Sequence, residues 1–161
     1  MQDKIAVIAA HPDDEVIGCG GTLIKHTKDG SQVNILFMSD GESSRFNEIN
    51  DECKNLIIKR EKFALQAADL IGINSVKFLR LKDNQLDLYS RLKITKEIEK
   101  FLDFHKPNII YTHFGGDLNI DHQITFEAVM TAARPIVNSF IKNIYSFEIQ
   151  SSTELGIKTN K

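Results

Sequence analysis

Short apolar runs alternate with longer helical patterns along this sequence, and this alternation restricts its fold more than any other feature. Runs rich in β-branched residues lie at 4–10, 33–38, 76–81 and 108–113, with a plausible fifth at 144–149. Each is typical of a strand buried on both faces of a parallel sheet. Helical patterns fill the gaps, ending near residue 28 and spanning about 51–71, 90–105 and 122–138. The order predicts an α/β fold, a three-layer Rossmann-like open, mainly parallel sheet with helices on both faces.

The second helical pattern predicts an amphipathic helix. Its apolar residues recur at spacings near three and four, and they are Leu56, Phe63, Leu65, Ala67, Leu70 and Ile71. Such spacing predicts one apolar face.

Composition favours one domain with a small-molecule partner. A chain of 161 residues that is 42% hydrophobic suits a single core over residues 1–161.

Lys and Arg total 20 against 22 for Asp and Glu, so the net charge of -2 provides no broad positive field for nucleic acid or an anionic membrane. Only Cys19 and Cys53 are present, and no run approaches ~18 apolar residues. We therefore expect a soluble cytoplasmic protein without membrane insertion.

The sequence His11-Pro12-Asp13-Asp14-Glu15 directly follows the first apolar run. Three carboxylates in one turn repel each other unless a cation offsets their charge, and a histidine adds a nitrogen ligand that zinc favours. A tight bend brings His11 and Asp14 to one metal while Asp13 points into another part of the pocket. This turn therefore predicts part of a metal site.

A second polar cluster, residues 117–122, follows the fourth run and precedes a helix. Ligands of open parallel sheets bind at the carboxyl ends of the strands, where the strand order reverses. His122 then supplies the third protein ligand that a catalytic zinc needs, with water in the fourth position. Asp121 is expected to be an outer carboxylate or a hydrogen-bonding partner of a catalytic group.

Each cluster also has a structural interpretation. A histidine at a helix start is often an exposed residue of the capping region, and an acidic pair before a helix is often only a favourable N-terminus. The coincidence of both clusters on neighbouring loops favours the metal site. His113, which ends the fourth run, either lines the pocket or hydrogen-bonds a neighbouring loop.

The sequence resembles the PIG-L/LmbE-like family of zinc-dependent N-acetyl-sugar deacetylases. The resemblance rests on the segments 10–15 (AHPDDE), 39–42 (SDGE), 60–61 (RE) and 121–122 (DH), and it extends from residue 4 to about residue 150. It implies one Zn²⁺ on His11, Asp14 and His122, with Asp13 as general base. It also implies substrate contacts by Arg60 and, through the second segment, Glu42, with Asp83 matching a residue that contacts sugar hydroxyls. The implied substrate is a small N-acyl amino sugar of the N-acetylglucosamine type.

Two departures from the family pattern matter. Asn119 stands where the family usually has a histidine that polarises the acyl oxygen; an amide can donate a hydrogen bond to an oxyanion but cannot carry a proton. The chain also ends soon after the fifth run, so we expect it either to be a fragment lacking the family's C-terminal elements or to receive one pocket wall from another subunit of a homo-oligomer. The rival interpretation is a metal-containing, inactive carbohydrate-binding module.

Overall fold

The structure is a computed structural model that describes residues 2–134 and 140–153. Five parallel strands form one sheet in the order β3-β2-β1-β4-β5. The strands are β1 Lys4–Ala9, β2 Gln32–Ser39, β3 Ser75–Leu81, β4 Ile109–His113 and β5 Asn143–Phe147. The helices are α1 Asp14–Lys28, α2 Asp51–Ile71, α3 Arg91–His105, α4 Ile120–Ala132 and the short α5 Gln150–Thr153. The predicted Rossmann-like fold class is confirmed.

The core lies on both faces of the sheet because neighbouring strand residues point to opposite faces. Ala6 and Ile8 of β1 face α3 and α4, and pack in a cluster with Ile98 of α3 and Val129 of α4. The intervening β1 residues face α1 and α2 in a second cluster that includes Leu23 and Ala64. Burial on both sides explains why β1 reads as a continuous apolar run.

The predicted apolar face of α2 is only partly correct. Phe63, Leu65 and Leu70 are 56%, 50% and 88% exposed. The buried residues of this helix are Cys53, Ala64 and Ala68. Small side chains at positions 64 and 68 let the helix lie close to the sheet, so a narrow ridge of small residues makes the contact and the larger residues on either side face solvent.

Helix α1 packs tightly against β5. A Cβ atom on Gly18 would lie 2.3 Å from Cδ2 of Phe147, so any larger residue at this position requires the ring of Phe147 to move. The next residue, Cys19, has non-helical angles (φ -145, ψ 15) that kink the helix. The glycine-rich segment 18–21 is thus a packing feature.

Helix α4 begins and ends earlier than its sequence pattern predicts. The Asn119 side chain caps it, so the helix starts at Ile120, two residues before His122. It ends at Ala132, and Arg134 precedes Pro135, whose ring disfavours the helical conformation of the residue before it. The rest of the predicted helix, residues 135–138, lies outside the described residues.

No helix among the described residues is long and apolar enough to cross a membrane.

Candidate metal centre

Two loops meet at the carboxyl edge of the sheet where the strand order reverses. The loop after β1 carries His11 and Asp14, and β1 pairs directly with β4, whose following loop leads to His122 at the start of α4. All three residues are buried, being at most 8% exposed. The topology thus brings together the three residues that the sequence predicted as ligands.

One atom from each of these side chains converges on a common point. Nδ1 of His11 lies 3.1 Å from Oδ2 of Asp14 and 3.2 Å from Nε2 of His122. Oδ2 of Asp14 and Nε2 of His122 are 3.4 Å apart. Tetrahedral coordination with bonds of 2.0–2.1 Å places neighbouring ligand atoms about 3.3 Å apart. The three atoms therefore fit three corners of a tetrahedral metal site. The cluster formed by His11, Asp14 and His122 could hold a metal ion.

The other ring nitrogen of His11 contacts two carboxylates. Its Nε2 lies 3.1 Å from Oδ1 of Asp83 and 3.3 Å from Oδ2 of Asp121. Burial alone lowers the pKa of this imidazole, but hydrogen bonds to Asp121, Asp14 and Asp83 outweigh that effect and raise the pKa to about 12. The carboxylates fix the ring so that Nδ1 faces the cluster, as outer carboxylates do for metal-bound histidines. His11, Asp83 and Asp121 also form a second group that could hold a cation.

Asp121 has no exposed surface. Besides His11, its carboxylate accepts hydrogen bonds from the backbone N–H groups of Asn84 (2.8 Å) and Leu86 (3.0 Å). It joins the start of α4 to the loop after β3. Asp121 therefore lies behind His11, at the ring nitrogen that faces away from Asp14 and His122, and has no surface towards solvent.

Asp83 is predicted to contact substrate, and the structure gives it a further role. It is 5% exposed and lines a polar cleft together with His11, Asp14 and His122. One oxygen contacts His11, and the other accepts a hydrogen bond from the Ser44 hydroxyl. Burial raises the pKa of this carboxyl, but the hydrogen bonds from His11 and Ser44 reverse the effect and lower it. Asp83 therefore orients His11 as well as bordering the cleft.

His122 has a partner that the sequence pattern did not predict. Nδ1 of His122 lies 3.1 Å from Oδ2 of Asp117, which also accepts a hydrogen bond of 3.0 Å from Oγ of Ser152 in α5. Asp117 belongs to the predicted polar cluster, but nothing in its sequence position identifies the ring that it meets.

His113 lies beneath the cluster and has no exposed surface. Its Nε2 accepts a hydrogen bond of 2.8 Å from the backbone N–H of Ala10, so this nitrogen carries no proton, although it is 3.3 Å from Asp14. Its ring stacks on that of His122 with centroids 3.9 Å apart. Burial lowers the pKa of His113. His113 therefore hydrogen-bonds the chain directly after β1 and has no exposed surface; its contact with substrate stays a prediction.

The three neighbouring carboxyl groups of the first loop lie in different environments. Burial raises the pKa of Asp14, but the contacts of its carboxylate with the rings of His11, His113 and His122 outweigh burial and lower the pKa well below its usual range. Burial raises the pKa of Glu15 to about 8, and its Oε2 has no hydrogen-bond partner among the described residues. Burial, followed by the charge of Asp14, also raises the pKa of Asp13. Different protonation states are therefore favoured within one turn.

Asp13 is the accessible carboxylate of this turn, with 47% of its side chain exposed. Arg60 of α2 donates a hydrogen bond of 2.9 Å from Nη1 to Oδ2 of Asp13 and one of 2.6 Å from Nε to Oε1 of Glu42. Glu42 is 6% exposed and also pairs with Arg45. Arg60 therefore connects the loops after β1 and β2, while Glu42 mainly holds the arginines in place.

Asn119 caps α4 as well as bordering the cleft. Its Oδ1 accepts hydrogen bonds from the backbone N–H groups of Asp121 (2.9 Å) and His122 (3.3 Å). Its Nδ2 donates to Oδ1 of Asn84 at 3.3 Å. An amide nitrogen has two hydrogens, so one donor remains for another acceptor.

A polar cleft of about 350 Å³ opens above the cluster. His11, Asp14 and His122 line its floor together with Asp13 and Asn119, and the segment after β5 contributes Ile149, Ser151 and Ser152. Asp13 and Arg60 also border a second cavity of about 380 Å³ against α2. A small molecule in the polar cleft can reach the predicted ligands and Asp13 together.

Known proteins are similar to this chain in both sequence and fold. The chain is 23% identical over 156 residues to a probable N-acetyl-alpha-D-glucosaminyl L-malate deacetylase 2 of Bacillus anthracis, covering 95% of this chain and 69% of the relative. It is 31% identical over 108 residues to the diacetylchitobiose deacetylase of Thermococcus kodakarensis, covering 66% of this chain and 39% of that protein. The structure of N,N'-diacetylchitobiose deacetylase from Pyrococcus horikoshii superposes with a TM-score of 0.70 at 28% identity, covering 85% of this chain and 53% of the other.

The chain spans only part of each of these proteins, from 39% to 69% of their length. The family model for PIG-L, described as GlcNAc-PI de-N-acetylase, matches residues 6–133, and thus all of the loops that build the cluster. Since that match covers most of the 161 residues, the chain belongs to the PIG-L family.

Proposed function

We propose that this chain is a zinc-dependent hydrolase that removes the N-acetyl group from an amino-sugar conjugate of the N-acetylglucosamine type. The observation that carries the proposal is the convergence of three buried ligand atoms, 3.1–3.4 Å apart, on the floor of a polar cleft that Asp13 also borders. The names of its relatives support the substrate class, because they denote deacetylases of N-acetylglucosaminyl malate and of diacetylchitobiose.

His11, Asp14 and His122 would hold the zinc. Two imidazole nitrogens and one carboxylate oxygen are donors that suit Zn²⁺, and three is the number of protein ligands typical of a catalytic zinc. The chemistry that a bound zinc supplies is polarisation of the acyl oxygen and a lowered pKa for water.

Asp13 acts as the general base and then as the general acid. It accepts a proton from the water whose oxygen attacks the acyl carbon. When the carbon–nitrogen bond breaks, the same carboxyl returns that proton to the amine nitrogen of the sugar. Acetic acid leaves with the oxygen and the other proton of the water, and ionises to acetate in solvent. Arg60 holds Oδ2 of Asp13 at 2.9 Å, which keeps the carboxylate turned towards the cleft.

Asn119 assists by donating a hydrogen bond. Asn119 lines the cleft, and its Nδ2 retains one hydrogen beyond the contact with Asn84. A donor fixed by the helix cap before the reaction begins stabilises negative charge on the acyl oxygen without reorganisation. Asp83 and Arg60 border the same cleft and provide partners for sugar hydroxyls.

The test is acetate release from N,N'-diacetylchitobiose and from an N-acetylglucosaminyl malate conjugate, with metal content measured on the same preparation. We expect one zinc per chain and hydrolysis of at least one substrate that stops on chelation and returns with zinc. Full zinc loading without acetate release from either substrate would refute the assigned activity. It would instead support the inactive, metal-containing carbohydrate-binding module, which binds the sugar and leaves it intact.

We further propose a cytoplasmic location. Cys19 and Cys53 are buried free thiols, which suits a reducing compartment.

A further inference from the structure

We infer that Asp117 is the positioning residue of His122 and that Ser152 of α5 holds Asp117 in place. The inference rests on the proposed metal centre, but it concerns residues to which neither the family resemblance nor the proposed reaction gives a role.

The contacts form a short chain that leads away from the cluster. Nε2 of His122 faces His11 and Asp14, at 3.2 Å and 3.4 Å. Nδ1 on the opposite side of the ring lies 3.1 Å from Oδ2 of Asp117, which is 2% exposed. Ser152 donates to the same oxygen at 3.0 Å and is 3.5 Å from Nδ1 of His122. The shorter distance and the negative charge identify Asp117 as the direct partner of the ring.

This contact determines which nitrogen is available to a metal. A neutral imidazole carries its single proton on one nitrogen and a lone pair on the other. A carboxylate beside Nδ1 keeps the proton there, so the lone pair of Nε2 points at the cluster. His11 has the same arrangement with the two nitrogens exchanged. Carboxylates lie beside its Nε2, and its Nδ1 faces Asp14 and His122. Each imidazole is thus held from behind by a carboxylate.

Asparagine cannot replace Asp117. In the protein, Oδ1 of Asp117 accepts a hydrogen bond of 2.8 Å from the backbone N–H of Asn119. Oδ2 of Asp117 faces the hydroxyl of Ser152 and Nδ1 of His122. Both oxygens therefore face donors. In an Asp117→Asn variant the NH₂ group must face one of these donors, either displacing the start of the helix cap or forcing the proton of His122 onto Nε2.

The experiment measures the affinity of purified, substrate-free protein for Zn²⁺ and the visible absorption of its Co²⁺ form. We expect Asp117→Asn and Asp117→Ala to weaken Zn²⁺ binding about 10- to 100-fold, as loss of an outer-shell carboxylate does, and to change the Co²⁺ spectrum. Ser152→Ala removes one of the donors to Asp117 and should weaken binding by about two- to tenfold. Asp29→Asn is the matched control, because this exposed carboxylate lies at the opposite end of α1 and its loss changes the charge equally.

A double-mutant cycle with His122→Ala separates positioning from a general loss of structure. If Asp117 acts through His122, replacing Asp117 in the His122→Ala background leaves the residual Zn²⁺ affinity unchanged. The unfolding temperature of each metal-free variant checks that it folds.

Two results would overturn the inference: wild-type affinity in both Asp117 variants, or an equal loss of affinity with and without His122. Failure of the wild type to bind Zn²⁺ is a different result, and it would refute the proposed function itself.

Discussion

At the scale of single residues, Asp13 differs from its neighbours in the loop after β1. Asp14 and Glu15 are buried, whereas 47% of the Asp13 side chain is exposed and its Oδ2 pairs with Arg60. A carboxylate that borders the cleft without converging on the ligand atoms can exchange protons with substrate and water.

Asp13→Asn should therefore abolish most activity while zinc stays bound. The amide keeps the shape of the side chain and can still accept from Arg60, but it cannot accept a proton, so turnover should fall about 10²- to 10⁴-fold. In Asp13→Ala, which also releases Arg60, turnover should fall at least as far. Steady-state kinetics and elemental analysis on the same samples provide the measurement. More than a tenth of wild-type turnover in the Asn variant would remove Asp13 from the role of base.

Asn119 combines two roles that substitution can separate. Asn119→Ala removes both the acceptor of the helix cap and the amide donor. We expect the free energy of unfolding to fall by about 1 kcal/mol and turnover to fall about tenfold to a thousandfold. Asn119→Asp keeps an acceptor for the N–H groups of residues 121 and 122 but has no donor, so its stability should stay near that of the wild type while turnover falls as in the Ala variant. Wild-type turnover in Asn119→Asp would assign the polarising role elsewhere.

The convergence of the three proposed ligand residues could be predicted because their sequence signals are local. His11 and Asp14 share one turn after a buried run, and the strand-order rule places that turn beside the loop that precedes His122. The partners behind the rings could not be predicted in this way. Whether Asp117 or Asp121 meets a given imidazole depends on how the first turn of α4 faces the cluster, and the burial of His113 depends on the packing around β4.

At the scale of elements, the spacing of apolar residues predicted each main helix and strand, within a few residues except at the end of α4. It did not predict which face of α2 is buried, because periodicity marks large apolar residues and this contact is made by the small residues Cys53, Ala64 and Ala68. The start of α4 was missed for a similar reason. A side-chain cap at Asn119 sets this boundary, and the apolar pattern does not record it.

The contact between α1 and β5 provides a test at this scale. Gly18→Ala places a methyl group 2.3 Å from Cδ2 of Phe147, so the free energy of unfolding should fall by about 1–3 kcal/mol. Gly21→Ala is the matched control, since a Cβ on Gly21 meets nothing within 4 Å; in the same helix it should leave stability unchanged or raise it by up to about 1 kcal/mol. Chemical denaturation measures both. Equal effects of the two substitutions would mean that helix propensity, and not the contact with Phe147, determines the result.

At the scale of the whole molecule, the proposed metal centre joins distant parts of the chain. Position 11 follows β1 and position 122 opens α4, so a metal bound to both connects the two halves of the sheet across the reversal of strand order. A ligand that binds the folded state and not the unfolded chain stabilises the fold by mass action, by about 2.7 kcal/mol at a concentration one hundred times its Kd.

Removing zinc should therefore lower the unfolding temperature of the wild type by about 5–10 °C, given about 2–4 °C for each kcal/mol in a domain of this size. Adding zinc back should restore it. His122→Ala removes one of the three ligand atoms, so its unfolding temperature should respond little to the same titration, whereas Asp13→Asn, which keeps all three, should respond as the wild type does. Thermal unfolding with and without chelator measures all three proteins. Since the histidine variant lacks a ligand and the aspartate variant lacks only the proposed base, a zinc response in both or in neither would show that zinc does not bind through the atoms that converge beneath the cleft.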